Sequence, residues 1–375
     1  MNLNLTGEQR SILALSLVPD IGPRRFQALT AFFGSAQNAC AAGEKDIAAV
    51  EGLPRETASR IARQLATVDP EKECRSAADA GVRIITCIDS DYPACLKLIG
   101  DYPPVLYVRG RLEPDDEISI AVVGTRHATA YGGNVAEKFS KEIAGHGITV
   151  ISGLARGIDT YSHQGALSVG GRTVAVLGNG LLKHYPPENK KLEEKIVDSG
   201  ALVSEFAMNA DPDKSHFPRR NRIIAGMALA TVVIESDIKS GALITAELAL
   251  EQGKDVFAVP GPLFSRYSRG PHKLIKSGAQ LAESAQDIID AIAPLAEWLK
   301  KKKRATLAPA NEIQILDANS RKIVAALDRS HDGVTIDVLA QETGFLPGEL
   351  AGCLLDLEIK GVIRSLAGNR YVRNY

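Results

Sequence analysis

The amino-acid sequence predicts an α/β fold: an open, extended Rossmann-like sheet with helices on both faces, preceded by a helical domain and followed by a winged-helix domain. Three observations support this prediction. Seven apolar runs alternate with helical patterns between residues 82 and 261, four of these runs end in glycine, and helical periodicity dominates the regions on either side. Because runs that are apolar throughout are buried on both faces of a sheet, helices must cover it from above and below.

The seven apolar runs are the predicted strands of the central sheet. Their bounds are 82–87, 118–124, 148–153, 172–178, 201–205, 230–235 and 255–261. The segments 131–147 and 160–171 between them have the length and spacing of helices that connect parallel strands. The order of strands and helices therefore favours a parallel sheet.

The chain of 375 residues is long enough for several cores, and we predict four segments. They are a helical domain of the SAM or helix-hairpin-helix type at 1–72, a Rossmann-like domain at 73–295, a basic linker rich in Ala and Pro at 296–312, and a winged-helix domain at 313–375. Five consecutive cations, Lys300 to Arg304, precede the Ala/Pro stretch. We interpret this basic run as a solvated tether, with phosphate contact as the alternative.

The first segment contains two patterns of helix, glycine turn and helix, at residues 19–35 and 50–65. Such a turn can direct backbone N–H groups at a phosphate, as helix N-termini do, and Arg24 and Arg55 are the candidate contacts. The simpler interpretation is a small helical bundle that uses glycine for tight packed turns.

The last segment has the order of a winged helix, with three helices followed by a hairpin. A helix that reads duplex DNA presents Arg, Asn or Gln to the base edges. The corresponding helix here carries Glu349, Asp356 and Glu358, which a duplex would repel. We therefore predict that this segment contacts protein or serves in packing, and that it does not bind double-stranded DNA.

Composition and charge exclude several classes of protein. The chain has 44 basic and 45 acidic residues, so its net charge is close to zero and any nucleic-acid site must be a local cluster of positive charge. The five cysteines contain no C-x-x-C pair, so neither a disulfide framework nor a zinc site is predicted. The sequence shows no signal-peptide pattern and no apolar run near the roughly 18 residues of a membrane span. We expect a cytoplasmic protein without a metal, a cofactor or a membrane span.

Loops at the carboxyl ends of parallel strands converge on one crevice, which is the predicted ligand site. Glycines there let a ligand approach the backbone closely, and arginines bind phosphate. These loops contribute Gly124, Thr125, Arg126, Gly153, Arg156, Lys239, Ser240 and Gly241. The G-x-G-x-x-G pattern of a dinucleotide site is missing, so the expected ligand carries several phosphates.

The stretch HFPRRNRIIAG, residues 216–226, completes the predicted site. Lys214 and Phe217 lie three residues apart, and a cation beside an exposed aromatic ring is typical of single-strand recognition, where a base stacks on the ring. The remaining predicted contacts are Arg219, Arg220, Asn221 and Arg222. The alternative interpretation makes Phe217 a core residue and Arg222 the partner of an internal carboxylate such as Glu205 or Glu235.

No catalytic residue is predicted. Asp159 and His163 lie four residues apart on one helix, as a base and its orienting group would. We interpret Asp159 as the cap of the helix and His163 as its structural partner. The H-E-x-x-H, G-x-x-x-x-G-K-[ST] and G-x-S-x-G motifs are all missing from the sequence.

Several segments resemble the DNA-processing protein A family, DprA or Smf. The segments SGLARGID, HFPRRNRIIAG, SGALITA and FAVPG occur in the order of that family, and DIGPRR and YPPVLYVRG extend the resemblance over nearly the whole chain. The resemblance implies a non-enzymatic homodimer that binds and protects incoming single-stranded DNA in natural transformation and loads the RecA recombinase.

The resemblance also assigns site residues. The Gly-Ser-Arg motif of the family corresponds to Gly124, Thr125 and Arg126, and its lysine and phenylalanine ahead of the arginines correspond to Lys214 and Phe217. Thr125 in place of serine keeps the hydroxyl and adds a methyl group.

A second hypothesis from a different class is a nucleoside-monophosphate phosphoribohydrolase. Enzymes of that type have a related fold and carry a P-G-G-x-G-T-x-x-E segment whose glutamate takes part in the reaction. Here only Gly241, Thr245 and Glu247 match the segment, and the double glycine is missing.

Overall fold

The computed structural model describes residues 5–306, 318–327, 333–359, 362–366 and 369–373. The chain forms two compact units, Met1–Ala296 and Glu297–Tyr375.

The first unit is built on a nine-stranded sheet in the order β1-β2-β6-β5-β4-β3-β7-β8-β9. The strands are β1 Val82–Thr86, β2 Val105–Gly110, β3 Ser119–Val123, β4 Thr149–Ser152, β5 Thr173–Leu177, β6 Ala201–Ser204, β7 Ala230–Val233, β8 Asp255–Ala258 and β9 Gln280–Leu281. The strands from β6 to β9 in this order run parallel, whereas β1 and β2 form an antiparallel edge. All seven predicted strands are present, and the structure adds β2 and β9.

Six helices precede the sheet: α1 Gly7–Leu17, α2 Pro23–Phe33, α3 Ala36–Ala41, α4 Glu44–Ile47, α5 Arg55–Leu65 and α6 Pro70–Asp79. A capping box starts α1, because Thr6 Oγ1 accepts from the N–H of Gln9 at 3.3 Å and Gln9 Oε1 accepts from the N–H of Thr6 at 2.7 Å. Arg24 and Arg55 lie exposed in the first turns of α2 and α5. Phosphate contact by these two arginines stays a prediction.

The remaining helices of this unit are α7 Ala94–Lys97, α8 Ala130–Gly145, α9 Ile158–Ser168, α10 Lys190–Ser199, α11 His216–Met227, α12 Gly241–Glu251, α13 Arg269–Lys276, α14 Ala285–Ala291 and α15 Ala293–Thr306, which continues into the second unit. Helices cover both faces of the sheet, as predicted. Alternate residues of β5 show this arrangement: Val174 and Val176 pack in the core with α11 and α12, whereas Ala175 and Leu177 pack in the core with α1–α6 and α10.

The predicted boundary between residues 72 and 73 falls within α6. The core of the N-terminal helices continues into Val82 of β1 and Val105 and Tyr107 of β2. A separate domain at 1–72 therefore stays a prediction.

The second unit has the predicted winged-helix plan. Helices Ala318–Leu327, Ile336–Thr343 and Pro347–Ile359 pack with an antiparallel sheet of β10 Val334–Thr335, β11 Ile363–Leu366 and β12 Arg370–Arg373, in the order β10-β12-β11. Buried aliphatic side chains form its core, among them Ile323, Leu327, Leu339, Leu350 and Leu354.

Part of the predicted linker at 296–312 is helical, because α15 extends through the five consecutive cations. Residues 307–312 lie outside the described residues, so the tether stays a prediction. Among the helices that the structure describes, none has the length and apolar content to cross a membrane.

Candidate nucleic-acid interface

A cavity of about 560 Å³ lies at the carboxyl ends of β3 and β7. The strands from β4 to β6 continue the sheet on one side of β3 and those from β7 to β9 on the other, so the chain order reverses here, where open α/β sheets bind their ligands. Nine of the fourteen predicted site residues line this pocket: Gly124, Thr125, Arg126, Phe217, Arg220, Asn221, Lys239, Ser240 and Gly241.

The loop after β3 is held tightly against its neighbours. The N–H of Thr125 donates to the carbonyl of Glu235 at 2.7 Å, and the carbonyl of Thr125 accepts from the N–H of Ile158 at 3.1 Å. A Cβ atom on Gly124 would lie 2.5 Å from Ile158 Cγ1, so only glycine fits there. Thr125 is buried, and its hydroxyl oxygen accepts from the N–H of His127 at 3.2 Å. This loop thus holds the exposed Arg126 in a fixed position.

Arg126 and Phe217 both line the pocket and contact each other. The guanidinium carbon of Arg126 lies 4.7 Å from the centroid of the Phe217 ring, within cation–π range. Tyr185 lies beside the same ring, with centroids 5.6 Å apart and an interplanar angle of 40°. Phe217 is half-buried, so it presents part of its ring to the pocket. Arg126 forms no salt bridge with any carboxylate that the structure describes, which leaves its charge available for a ligand.

Arg220 forms the floor of the pocket and is 4% exposed. Its Nη1 donates to the carbonyl of Gly153 at 2.6 Å and also to that of Val176, and its Nε donates to Asn221 Oδ1 at 3.1 Å. Burial lowers the pKa of Arg220 to about 10, against the opposing charge of Asp159, so the guanidinium stays charged at neutral pH. Gly153 contributes its carbonyl to this arrangement. Glycine is required at this position, because a Cβ atom would collide with the guanidinium of Arg220.

The pair predicted on α9 is arranged differently from its prediction. Asp159 Oδ2 accepts from the N–H of Ala155 at 3.3 Å, and His163 Nδ1 lies 2.7 Å from Thr173 Oγ1, so the histidine is not the partner of Asp159. Burial raises the pKa of Asp159, with the charge of Arg220 opposing the shift. Burial lowers the pKa of His163 to about 3. A neutral histidine hydrogen-bonded to Thr173 is suited to packing and not to proton transfer.

The N-terminus of α12 forms another wall. Ser240 caps this helix, because its Oγ accepts from the N–H of Ala242 at 3.3 Å. Asn221 joins this wall to the floor by donating to the carbonyl of Gly241 at 3.2 Å. Lys239 lies exposed at the rim. A helix N-terminus with a neighbouring lysine is a favourable place for an anion.

Five predicted residues lie outside the pocket lining. Gly153 contacts the guanidinium of Arg220 through its carbonyl. Arg156 is half-exposed and donates from Nη2 to Glu188 Oε2 at 3.1 Å. Lys214 is exposed in the loop before α11 and forms no ion pair with a described carboxylate.

Arg219 and Arg222 lie on another face of α11, where both meet the buried Glu205. Nη2 of Arg222 lies 2.5 Å from Glu205 Oε2, and Nη2 of Arg219 lies 3.2 Å from the same oxygen. Arg222 is buried and also lies 3.5 Å from Asp101, whereas Arg219 is half-exposed and stacks over the Phe206 ring at 5.1 Å. The internal partner that the sequence left open for Arg222 is therefore Glu205, and Glu235 instead accepts from Thr129.

Several lining residues were not predicted from the sequence, chiefly Arg266 and Tyr267 from the loop after β8 and Asp237 from the loop after β7. Arg266 Nε lies 2.6 Å from Asp237 Oδ2, and this ion pair lowers the pKa of Asp237. The sequence does contain a signal for Arg266 and Tyr267. The apolar run that ends at Gly261 predicts a strand, and the loop after that strand reaches the same edge of the sheet.

Four cationic side chains and two carboxylates face the pocket, and these are Arg126, Arg220, Lys239, Arg266, Asp159 and Asp237. The balance favours an anionic ligand. Among the described residues, no group of three or more His, Cys, Asp or Glu side chains is placed to hold a metal ion.

Comparisons with known proteins match nearly the whole chain. The family model of DNA recombination-mediator protein A matches residues 83–293, and that of the DprA winged helix domain matches residues 307–369. Protein Smf of Synechocystis is 33% identical over 98% of this chain and 99% of its own length.

Two solved structures are also similar. DNA processing protein A of Streptococcus pneumoniae has a TM-score of 0.67 and 32% identity, covering 77% of this chain and 99% of its own. DNA processing protein A of Helicobacter pylori, solved to describe its single-stranded DNA binding mode, has a TM-score of 0.51 and 26% identity, covering 59% of this chain and 96% of its own.

Proposed function

This chain belongs to the DprA/Smf family of DNA recombination-mediator proteins, and we propose that it binds single-stranded DNA in the pocket at the carboxyl ends of β3 and β7. The observation that carries the proposal is the contact between Arg126 and Phe217, a cation and a partly exposed aromatic ring 4.7 Å apart in a pocket with excess positive charge. The relative from Helicobacter pylori, described as binding single-stranded DNA, supports the same ligand.

The pairing of Arg126 with Phe217 favours an unpaired strand over a duplex. A guanidinium contacts a backbone phosphate, and an aromatic ring stacks a base only where the face of that base is open. In a duplex the neighbouring base pairs cover these faces. The ring of Phe217 therefore gains a partner only when the strand is single.

The predicted contacts divide by position. Gly124, Thr125, Asn221 and Gly241 shape the walls, Ser240 caps α12, and Lys239 adds charge at the rim. We propose that Arg126 and Lys239 bind phosphate, that Phe217 stacks a base, and that Arg220 acts by its charge from the floor.

The predicted contacts outside the lining have different roles. Lys214 is exposed and suited to a longer strand that leaves the pocket, whereas Arg156 is engaged by Glu188 and would have to leave this carboxylate to contact DNA. Arg219 and Arg222 are engaged by Glu205, and we propose that Arg222 stabilises the fold and does not bind DNA.

We also propose the wider role that family membership suggests: the protein acts in the cytoplasm as a homodimer, protects incoming single-stranded DNA in natural transformation, loads RecA, and does so without catalysis. Sedimentation of the purified protein tests the dimer. The rate at which RecA assembles on a labelled strand, with and without this protein, tests loading. An unchanged rate would contradict that role.

The phosphoribohydrolase hypothesis depends on Glu247, which is exposed on α12 and is not part of the pocket lining. The carboxylates that face the pocket are Asp159 and Asp237. We therefore favour binding over hydrolysis. Release of free base from nucleoside monophosphates would revive the enzymatic hypothesis.

Fluorescence anisotropy with a labelled oligonucleotide tests the proposed function. We expect tighter binding to a single strand than to a duplex of equal length, and a log–log salt slope of about −0.7 per neutralised phosphate. Arg126→Ala should weaken binding at least about tenfold, because a charge-assisted hydrogen bond is worth about 1.5–3 kcal/mol.

Arg75→Ala is a matched control, because it removes an arginine that is 63% exposed on α6. Equal affinity for single strand and duplex, or the same loss in both variants, would contradict the proposal.

A further inference from the structure

The loop after β8 presents two apolar side chains to solvent. The N–H of Ser265 donates to the carbonyl of Pro262 at 3.0 Å, which closes a four-residue turn. Leu263 and Phe264 are the central residues of this turn, and they are 82% and 101% exposed. Neither side chain packs against another residue that the structure describes. An adjacent pair of large apolar residues with this exposure is typical of an interaction site.

The turn lies at the rim of the pocket. Arg266 and Tyr267, the second and third residues after Phe264, line the pocket. Since consecutive Cα atoms are about 3.8 Å apart, the Cα of Phe264 lies within about 7.6 Å of that of Arg266. The exposed ring is therefore next to the site already described.

Hydrogen bonds hold the turn on both sides. Before it, the hydroxyl of Tyr131 donates to the carbonyl of Pro260 at 2.8 Å. After it, Ser265 Oγ accepts from the N–H of Tyr267 at 3.3 Å, and the carbonyl of Tyr267 accepts from the N–H of Ser236 at 2.7 Å. Because these hydrogen bonds already order the backbone of the turn, little conformational entropy of the turn is lost when a ligand contacts the Phe264 ring.

The charge around the turn is positive. Lys239 and Arg269 are exposed and form no ion pair with a described carboxylate, whereas the charge of Arg266, which is 70% exposed, is offset by Asp237. An exposed aromatic ring among cations is the arrangement that binds unpaired nucleotides by stacking and backbone attraction.

We propose that Phe264 is a second stacking residue for the single strand, at the opposite end of the site from Phe217. This inference rests on the proposed function, because the strand must first occupy the pocket. Phe217 lies 4.7 Å from Arg126, in the loop after β3, and also packs at Gly178, the residue after β5, whereas Phe264 follows β8. Two strand spacings separate β3 from β8 and four separate β5 from β8, so the strand order places the two rings about 10–19 Å apart.

That separation sets the length of DNA that reaches both rings. At the duplex rise of about 3.4 Å per nucleotide a strand spans 19 Å in about six nucleotides, and a more extended strand needs fewer. A strand of two thymidines is too short to contact both, and a strand of twelve is long enough in either conformation.

The test compares the affinities of the full-length protein for dT2 and dT12, with dT2 measured by competition against labelled dT12. Phe264→Ala should weaken dT12 binding about fivefold to a hundredfold, the range for one stacked base, and leave dT2 binding and the salt slope unchanged. Phe264→Trp should keep the affinity for dT12. In this variant dT12 should quench more tryptophan fluorescence than it does in the wild-type protein, and dT2 should not. Leu98→Ala, which removes a side chain that is 87% exposed elsewhere on the unit, is the control.

Each other outcome counts against one proposal or the other. Unchanged dT12 affinity in Phe264→Ala, or equal losses for dT2 and dT12, would overturn the role of Phe264 while leaving the pocket intact. A shift in sedimentation without a change in affinity per protomer would assign the turn to self-association instead. If the wild-type protein failed to bind dT12, the proposed function and this inference would both fail.

Discussion

Two faces of helix α11 carry the arginines of one short stretch, and the structure gives them opposite environments. Phe217, Arg220, Asn221 and Ile224 face the pocket, at the spacing of three and four residues that shares one side of a helix. Arg219 and Arg222, also three residues apart, face the buried Glu205. A cluster of arginines in a sequence is therefore not a single site, because helical geometry divides it between binding and folding.

The largest expected effect is on stability, at the Glu205 face. Arg222→Ala should lower the free energy of unfolding by about 3 kcal/mol, because it leaves the buried carboxylate of Glu205 without its shortest partner. Urea denaturation measures the change. The folded variant should still bind single-stranded DNA with wild-type affinity. A tenfold loss of affinity with unchanged stability would reverse the division between the two faces.

The next effect concerns His163, which is fully buried on helix α9. His163 has an ordinary pKa of 6.5 and a pKa of about 3 in the folded protein, because burial disfavours its charged form. The unfolded chain therefore binds the extra proton first, so the stabilising contribution is complete above pH 6.5 and is lost as the pH falls from 6.5 toward 3.

Urea denaturation at pH 6.5 and pH 5 measures this contribution. The wild-type protein should lose about 2 kcal/mol more than His163→Asn between these two values, at about 1.4 kcal/mol per pH unit. Parallel losses in the two proteins would mean that the surroundings of His163 admit water and a charged imidazole.

The third prediction tests stacking at the pocket face. Phe217→Leu keeps an apolar side chain and removes the aromatic face, so it should weaken binding to a single strand by about 1–3 kcal/mol. Binding to a duplex should stay unchanged. Phe217→Tyr is the matched control and should retain affinity for the single strand in the same anisotropy experiment. An equal loss for single strand and duplex would indicate that Phe217 supports the pocket without stacking a base.

The smallest effect is expected from Arg219→Ala, again at the Glu205 face. Its side chain is 48% exposed, and an ion pair of that exposure contributes about 0–1 kcal/mol. Urea denaturation beside Arg222→Ala shows whether burial decides the contribution of each arginine to Glu205. A loss as large as that of Arg222→Ala would contradict this explanation.

Sequence patterns located the central strands because most positions of a parallel strand that is buried on both faces are apolar. Strand β2 was not predicted, although Val105 to Val108 are apolar and buried, because this short run directly follows two prolines, Pro103 and Pro104, which are typical of a loop. Strand β9 has only two residues, both exposed, and no apolar pattern marks it. The basic run forms part of helix α15, because lysine and arginine are good helix formers.

The lining of the pocket was predicted in part, for a related reason. Loops that follow buried strands meet at one edge of the sheet, so topology alone predicted that Arg126 and Gly241 would line the same pocket. The burial of the arginine side chains was not predicted, because the sequence does not show that Arg220 and Arg222 are only 4% exposed. A helical projection of residues 216–227 would have separated Arg220 from Arg219 and Arg222, since successive residues differ by about 100°.

A crystal structure of the complex with a dT12 strand would show directly whether the strand occupies this pocket. We expect a phosphate within hydrogen-bond distance of Arg126, a base stacked on Phe217 at the carboxyl ends of β3 and β7, and Arg222 still bound to Glu205. A strand bound to another face of the protein, with the contact between Arg126 and Phe217 unchanged, would contradict it.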